Sequence, residues 1–286
     1  MSQGTEGSRP ASEATLPARP LPQPPSRAEP VPTGSPPPGG EHIDYTNSQH
    51  RWRGVITRFN IAGRRKFYRA FMDAMAPTAE TTILDVGVTP DQTAADSNFF
   101  EKWYPHPSRI TATSIEDASA LETLHPGLTF VQTAGDSLPF ADGQFDIAFS
   151  TAVIEHVGDR ESQRQFLAEL LRVSKRFFIT TPNRWFPVEL HTYVPFLHWL
   201  PQEQHQRALR RLGKDSWATT ENLNLLDERE LRALFPPGTV PTVTGARLLG
   251  MRSNLLAYGA SGRPGAGTGT GTGTGTGAGT GPSSGS

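Results

Sequence analysis

The stretch from Thr82 to Val88 places the strongest constraint on how this chain folds. Its sequence, TILDVGV, is an apolar run that ends in Asp85 and is followed two positions later by Gly87. A strand followed by a tight turn puts a carboxylate and open backbone N–H groups at the carboxyl edge of a sheet, where open α/β folds bind nucleotides. The run therefore predicts a strand, a turn and a ligand site in succession.

Length and composition favour one intracellular, water-soluble domain. The 286 residues leave room for one core, because single cores grow to roughly 250 residues before chains split. A net charge of -1 argues against broad binding to nucleic acid or anionic lipid, and the lack of cysteine excludes disulfides and thiolate sites. No apolar run approaches the roughly 20 residues of a membrane span. We expect a cytoplasmic protein with no nucleic-acid partner and no stable membrane insertion, and the oligomeric state stays open.

Composition also divides the chain into three segments. Residues 1–45 are dominated by Pro, Ser, Gly, Glu and Arg, and residues 261–286 consist almost entirely of Gly, Thr and Ser. Neither segment has enough apolar side chains to offset the entropy of ordering it. Both are predicted to be disordered tails on either side of a domain that covers residues 46–260.

Apolar spacing predicts two long helices in this domain. Phe67, Phe71 and Met75 recur at the helical period within Val55–Met75 and share one face. The basic side chains of the same segment are interpreted as a solvated face that binds no ligand. A second apolar stripe predicts a helix from about Arg160 to Lys175.

Strand patterns alternate with these helices and predict a parallel sheet that is covered on both faces. The predicted strands are Thr82–Val88, Arg109–Ile115, Leu128–Gln132, Phe145–Ser150 and Arg176–Thr180. The C-terminal part departs from this alternation. After a short helix near residues 227–235, the β-rich runs Val240–Leu249 and Asn254–Tyr258 lie only a turn apart. So short a connection permits only an antiparallel hairpin.

A longer motif carries a family resemblance. Residues 138–146 read LPFADGQFD, and a strand then leads to Glu155, His156 and Val157. In this combination the sequence resembles the class I S-adenosylmethionine-dependent methyltransferases of the methyltransferase type 11-like group, over about residues 82–258. The resemblance implies a Rossmann-like methyltransferase fold, which is a doubly wound, mainly parallel seven-stranded sheet with a C-terminal antiparallel hairpin. It also implies S-adenosyl-L-methionine as the cofactor.

The chemistry of this cofactor suggests which residues bind it. Its sulfonium and ammonium groups are positively charged, which suits Asp85, while Gly87 lets the backbone approach. The ribose diol needs an acceptor after the second strand, where Glu116 is the candidate and Asp117 the reserve. The remaining predicted cofactor residues are Gly135, Asp136 and Leu138, which surround the adenine, and Ser150.

Two departures from the family pattern leave alternatives open. Thr89 and Asp91 stand where the family has further glycines, and Ala134 stands where it has an acid. These changes keep open a non-catalytic scaffold of the same fold that has lost cofactor affinity. A nucleotide-cofactor oxidoreductase is the other alternative, and the absence of G-x-G-x-x-G after the first strand disfavours it.

His156 is the predicted catalytic residue. Its imidazole titrates near neutral pH and could act as the general base for an oxygen acceptor, unless it only hydrogen-bonds its own helix start. Some related O-methyltransferases hold a divalent cation with Glu-x-x-Glu-His. Ala152 replaces the first acid of that motif here. Since two ligands remain and Mg²⁺ prefers six oxygen-rich ligands, the sequence predicts no metal.

The segment after the fifth strand is rich in aromatic and polar residues and resembles the substrate-covering insertion of the family. Because that strand ends at the predicted cofactor cleft, the segment supplies candidates for binding the acceptor. These candidates are Asn183, Arg184, Trp185, His191 and Tyr193. The expected activity is transfer of a methyl group from S-adenosyl-L-methionine to a small-molecule or saccharide acceptor, at oxygen.

Overall fold

The structure is a computed structural model that describes residues 53–262. The predicted N-terminal tail lies outside the described residues, as does the predicted C-terminal tail apart from Ser261 and Gly262. Within residues 53–262, no helix combines the length and apolar character that a membrane span requires.

A seven-stranded sheet in the order β3-β2-β1-β4-β5-β7-β6 forms the centre of the described region. The strands are β1 (Ile83–Val86), β2 (Ile110–Ser114), β3 (Thr129–Gln132), β4 (Phe145–Thr151), β5 (Ser174–Pro182), β6 (Thr242–Leu248) and β7 (Met251–Ala260). The first five strands pair in parallel, and β7 pairs antiparallel with both β5 and β6. The predicted doubly wound sheet with a C-terminal antiparallel hairpin is therefore confirmed.

Six α-helices accompany the sheet in the described region. They are α1 (Arg53–Met75), α2 (Phe99–Trp103), α3 (Ala120–Leu124), α4 (Arg160–Val173), α5 (Gln202–Arg211) and α6 (Glu228–Leu234). The predicted helix over residues 160–175 ends two residues early, because Ser174 already begins β5. The second hairpin strand is longer than predicted, since pairing with β5 and β6 extends β7 to ten residues.

Each face of the sheet carries its own apolar layer. The predicted stripe of α4, with Phe166 and Leu170, is buried in one layer together with side chains of α6. The predicted stripe of α1 lies in the other layer, where the Phe71 ring meets those of Phe149 and Phe178 at centroid distances of 5.1 and 5.5 Å. Burying one such ring contributes about 1.5–3 kcal/mol. These two layers fix the strand ends relative to one another.

The residues that carry the family resemblance are largely structural. Asp146 accepts hydrogen bonds from the backbone N and the hydroxyl of Thr82, both at 3.0 Å, and so joins β4 to the start of β1. Arg172 of α4 donates to the carbonyls of Leu138 and Phe140 at 2.9 and 2.8 Å. The LPF turn is thereby held against α4 through its backbone.

Candidate functional site

A cavity of about 1150 Å³ lies at the carboxyl edge of the sheet. Its wall is built from residues at the ends of β1 to β5, together with residues of α1 and of the segment that follows β5. Cavities of about 300–1,000 Å³ hold most small ligands. This cavity has room for a nucleoside cofactor and a second molecule.

A pair of buried carboxyl groups stands at the end of β1. Asp85 and Glu101 line the cavity, and their side chains contact each other. Burial raises the pKa of Asp85 well above its ordinary value, and the neighbouring Glu101 raises it further. Burial also raises the pKa of Glu101, although its contact with the Asp85 side chain opposes that shift. Two acids in this position favour a positively charged ligand.

Arg64 is the cation that faces this pair, and sequence analysis missed it. It lies in the cavity wall over the ring of Phe99, 5.3 Å from the centroid, with its Nε 3.9 Å from Asp96. Burial lowers its pKa, while Asp96, Glu155 and Asp85 oppose that shift. The interpretation of the α1 basic residues as wholly solvated is therefore wrong for Arg64. A signal existed, because Arg64 stands three residues before Phe67 on the buried stripe.

The turn after β1 corrects the expectation of open backbone N–H groups. Gly87 and Val88 both donate to the carbonyl of Thr113, at 2.8 and 3.1 Å. Thr89 N donates to Asn98 Oδ1 at 3.0 Å, and Asp91 N donates to the Thr89 hydroxyl at 3.1 Å. The carbonyl of Thr113 and two side-chain oxygens thus take up the amides that a glycine-rich loop leaves open.

Gly87 is needed for the shape of this turn. Its φ is +100°, and a Cβ at this position would overlap Val153 Cγ2. Glycine tolerates both conditions, because it has no Cβ. The residue lines the cavity as predicted, although its own N–H is engaged.

Six of the eight predicted cofactor residues occur near the first three strands, and five of these six line the cavity. Glu116 and Asp136 are exposed in its wall, which Gly135 and Asp85 also line. The other predicted residues have different surroundings. Asp117 accepts a hydrogen bond from Ser119 N at 2.9 Å, Leu138 is buried in the core, and the Ser150 hydroxyl donates to Val86 O at 2.8 Å.

His156 and His191 meet at the other end of the cavity. Their Nε2 atoms are 3.2 Å apart, although the residues are 35 positions apart in the sequence. His156 Nδ1 lies 2.6 Å from the carbonyl oxygen of Asn222, and His191 Nδ1 lies 2.6 Å from Glu189 Oε1. Trp217 packs against both rings, with centroid distances of 6.0 and 5.0 Å.

Glu155 completes this cluster. The residue is fully buried, and one of its oxygens accepts a hydrogen bond from the Thr181 hydroxyl at 2.9 Å. Its other oxygen, Oε1, has no hydrogen-bond partner among the described residues and lies 3.9 Å from His156 Nε2. We refer to Glu155, His156 and His191, with Glu189, as the histidine cluster.

The electrostatics of the histidine cluster separate its two imidazoles. Burial and the neighbouring His191 lower the pKa of His156 to about 3. Burial disfavours the charged form of His191 as well, but the charge and hydrogen bond of Glu189 outweigh it and raise the His191 pKa. Despite burial, the charge of His191 and hydrogen bonds from it lower the pKa of Glu189 to about 2. His191 is therefore the stronger base of the pair.

The predicted acceptor residues are divided between the cavity and the outer surface. His191 and Tyr193 line the cavity, whereas Asn183, Arg184 and Trp185 are absent from its wall. Asn183 donates to the carbonyl of Arg252 at 2.9 Å, and Trp185 Nε1 donates to Asp227 at 3.3 Å. The Trp185 side chain is 53% exposed, so the structure places it on the outside of the segment.

Comparisons with known proteins agree with this architecture. Residues 84–177 match the model of a family described as a methyltransferase domain. No curated protein sequence matches the chain.

Several solved structures are similar to this one at low sequence identity. The magnesium protoporphyrin IX methyltransferase from Synechocystis is 13% identical, with a TM-score of 0.46, and the match covers 75% of this chain and 89% of that one. The 1,6-didemethyltoxoflavin-N1-methyltransferase of Burkholderia thailandensis is 16% identical over 72% of this chain and 80% of that one, with a TM-score of 0.47. An N-methyltransferase from Bradyrhizobium japonicum is 13% identical over 68% and 85% of the two chains, with a TM-score of 0.43.

The family match spans β1 to β5, which are the strands whose ends build the cavity. The match favours a methyltransferase domain over the oxidoreductase alternative that the sequence left open. Residues 84–177 therefore form a methyltransferase domain, and S-adenosyl-L-methionine is its cofactor.

Proposed function

We propose that the protein transfers the methyl group of S-adenosyl-L-methionine to an oxygen of a small molecule or saccharide. The cavity wall divides into two parts. The cofactor half comprises the ends of β1, β2 and β3 with Arg64, and the acceptor half comprises the ends of β4 and β5 with the histidine cluster. The nucleoside lies along the cofactor half, so the acceptor enters the acceptor half.

The cofactor half supports this arrangement through its charge. Asp85 and Glu101 are two buried acids opposite Arg64, whose side chain is 25% exposed. The ammonium of the cofactor pairs with the acids, and its carboxylate pairs with Arg64. At the other end, Glu116 stands after β2, where it can accept hydrogen bonds from the ribose hydroxyls.

The histidine cluster carries the proposal for an oxygen acceptor. A hydroxyl group must give up its proton as its oxygen attacks the methyl carbon, whereas a neutral amine can attack with its free lone pair. His191, supported by Glu189 at 2.6 Å, is placed to take this proton, with His156 next to it in the cavity wall. His191 therefore replaces the predicted His156 as the proposed base, because the His156 pKa of about 3 makes His156 a weak base.

The transfer is an in-line displacement. The acceptor oxygen forms a bond to the methyl carbon while the bond from that carbon to sulfur breaks, and the hydroxyl proton goes to the imidazole. The products are a methyl ether and S-adenosylhomocysteine. Holding the two reactants in line can supply much of the acceleration.

An acceptor panel tests the proposal. Release of S-adenosylhomocysteine is measured with phenols, catechols, monosaccharides and disaccharides, and with amines of matched size as the comparison. We expect turnover with at least one hydroxyl compound, and mass spectrometry of the product should show an added methyl group on oxygen. Turnover confined to amines would contradict the assignment to oxygen.

A further inference from the structure

The histidine cluster offers more than a base. Glu155, His156 and His191 each present one ligand atom, and these three atoms all lie within 4.8 Å of one another. The sequence predicts no metal because it shows two ligands, Glu155 and His156. The third ligand, His191, comes from the segment after β5, so only the fold brings it to the other two.

The hydrogen bonds of the two imidazoles determine where their protons are. The acceptor at each Nδ1 is an oxygen, the carbonyl of Asn222 for His156 and the carboxylate of Glu189 for His191, both at 2.6 Å. Each Nδ1 therefore carries the proton of the neutral ring. It follows that both Nε2 atoms, 3.2 Å apart, direct lone pairs into the same space. A cation, either a proton or a metal ion, has to lie between them.

The spacing suits a metal ion. In zinc sites, nitrogen ligands lie about 2.0–2.1 Å from Zn²⁺. When the N–Zn–N angle is between the octahedral and tetrahedral values, the two nitrogens are about 2.9–3.4 Å apart. The observed Nε2 to Nε2 distance of 3.2 Å falls within this range. Two neutral imidazoles that have fixed protons on Nδ1 are in the form that binds a metal.

Glu155 supplies a negative charge at the same point. Its Oε1 is buried, has no partner among the described residues and lies 3.9 Å from His156 Nε2. A buried carboxylate oxygen without a donor is costly unless a cation accompanies it. For Glu155 Oε1 and His156 Nε2 to bind the same ion, one of the two side chains has to move by about 1 Å.

Each of the three ligands is also oriented by an outer group. Thr181 holds Glu155 at 2.9 Å, Asn222 holds His156, and Glu189 holds His191. A histidine that donates its second N–H to a carboxylate or carbonyl is the usual arrangement around metal sites.

We propose that Glu155, His156 and His191 bind one divalent first-row transition-metal ion of the Zn²⁺ type. Two imidazoles and one carboxylate match the three-ligand zinc sites that keep a further position open, and imidazole ligands disfavour Mg²⁺. His156 and His191 lie in the cavity wall, so the open position faces the acceptor half.

The role of this ion in catalysis rests on the proposed function, whereas its binding does not. An acceptor hydroxyl bound at the open position has a lowered pKa and loses its proton to water more readily. His191 then acts as a ligand, and the ion takes over its task of generating the attacking oxygen.

Metal binding is measured directly on the full chain after dialysis against a chelator. Titration calorimetry with Zn²⁺ should show one tight site, and Co²⁺ at the same site should give visible absorption bands that Zn²⁺ abolishes. The variants His191→Ala and Glu155→Gln should weaken this binding by about 100-fold or more. Glu189→Gln, which alters only the support of His191, should weaken it by about 10–100-fold.

His125→Ala is the matched control, because it removes one imidazole before β3, at the opposite edge of the sheet, and should leave the tight site unchanged. Glu155→Gln keeps an acceptor for Thr181, so thermal melting should show that this variant is folded. Absence of Co²⁺ bands in the wild type, or tight binding that survives both His191→Ala and Glu155→Gln, would overturn the proposal. Ion binding without methylation of any hydroxyl compound would instead count against the proposed function alone.

Discussion

The two halves of the cavity differ in how their polar groups are held. In the acceptor half, Glu155, His156 and His191 are buried or half-buried, and each is held by a hydrogen bond of 2.6–2.9 Å. In the cofactor half, Glu116 and Asp136 are exposed, and the buried acids Asp85 and Glu101 face each other. The acceptor half is organised before any ligand arrives. The cofactor half is completed by the charge of its ligand.

The largest expected effect concerns the charge at Asp85. Asp85→Asn keeps the shape of the side chain and removes its charge, so we expect the affinity for S-adenosylhomocysteine to fall by about 100-fold or more, as for other desolvated charge pairs. Titration calorimetry measures this. Asp73→Asn, an exposed acid of α1 outside the cavity wall, is the control and should bind normally. Equal affinity in both variants would remove the distinction between the halves.

A variant of the acceptor half should lose turnover but keep its affinity for the cofactor product. His191→Ala should lower turnover of an identified hydroxyl acceptor by about 100-fold, because it removes the side chain that takes the hydroxyl proton or holds the proposed ion that activates the hydroxyl. Its affinity for S-adenosylhomocysteine should stay within about twofold of the wild type, because His191 stands at the far end of the cavity from Glu116. Parallel kinetics and calorimetry test both statements, and a joint loss of affinity and turnover would show that the halves are not independent.

A smaller effect is expected within the cofactor half. Glu116→Gln weakens one charge-assisted hydrogen bond to the ribose and should reduce cofactor affinity by about 10-fold. Asp117→Asn is matched in chemistry and adjacent in sequence, but its carboxylate accepts a hydrogen bond from Ser119 N. That variant should bind as the wild type does. If Asp117→Asn has the larger effect, the reserve candidate is the true ribose ligand.

The smallest effect concerns stability. Because burial and Glu101 raise the pKa of Asp85 in the folded protein, the folded state holds a proton that the unfolded state releases. Stability contributed by this group therefore falls as pH rises from about 4 towards the raised pKa, although Arg64 opposes the shift. Asp85→Asn should melt a few degrees higher than the wild type near neutral pH, at about 2–4 °C per kcal/mol.

Thermal melts between about pH 4 and pH 8 check this sign. The advantage of Asp85→Asn should shrink as the pH falls, because the wild-type group then becomes protonated in both states. An advantage that grows on acidification would mean that Asp85 is a stabilising ionised group in the folded protein.

The fold could be predicted from the sequence because local patterns specify it. The apolar run before Asp85 and the stripe of Phe67, Phe71 and Met75 have the periods of a strand and a helix, and both are buried as expected. The short gap around Gly250 forced an antiparallel hairpin. Strand ends were less predictable. The strand β1 ends at Val86 rather than Val88, because the amides of the next two residues donate to the carbonyl of Thr113.

The site was only partly predictable, because its residues come from distant parts of the chain. Asp85 follows from its place at a strand end, but Glu101 belongs to a five-residue helix without a periodic signal. Glu189 and His191 reach His156 through a segment that has little regular structure. The position of Arg64 could have been predicted, since a charged residue on the apolar stripe of a helix faces the inside of the protein and can contact a ligand there.

The closed turn after β1 has a consequence for the end of the reaction cycle. With the amides of residues 87, 88, 89 and 91 satisfied by the chain itself, the protein has few backbone contacts to offer and relies on opposite charges. The sulfonium becomes an uncharged thioether when the methyl group leaves. The ammonium and carboxylate that pair with Asp85, Glu101 and Arg64 nevertheless remain on S-adenosylhomocysteine, so this product should still bind and we expect product inhibition.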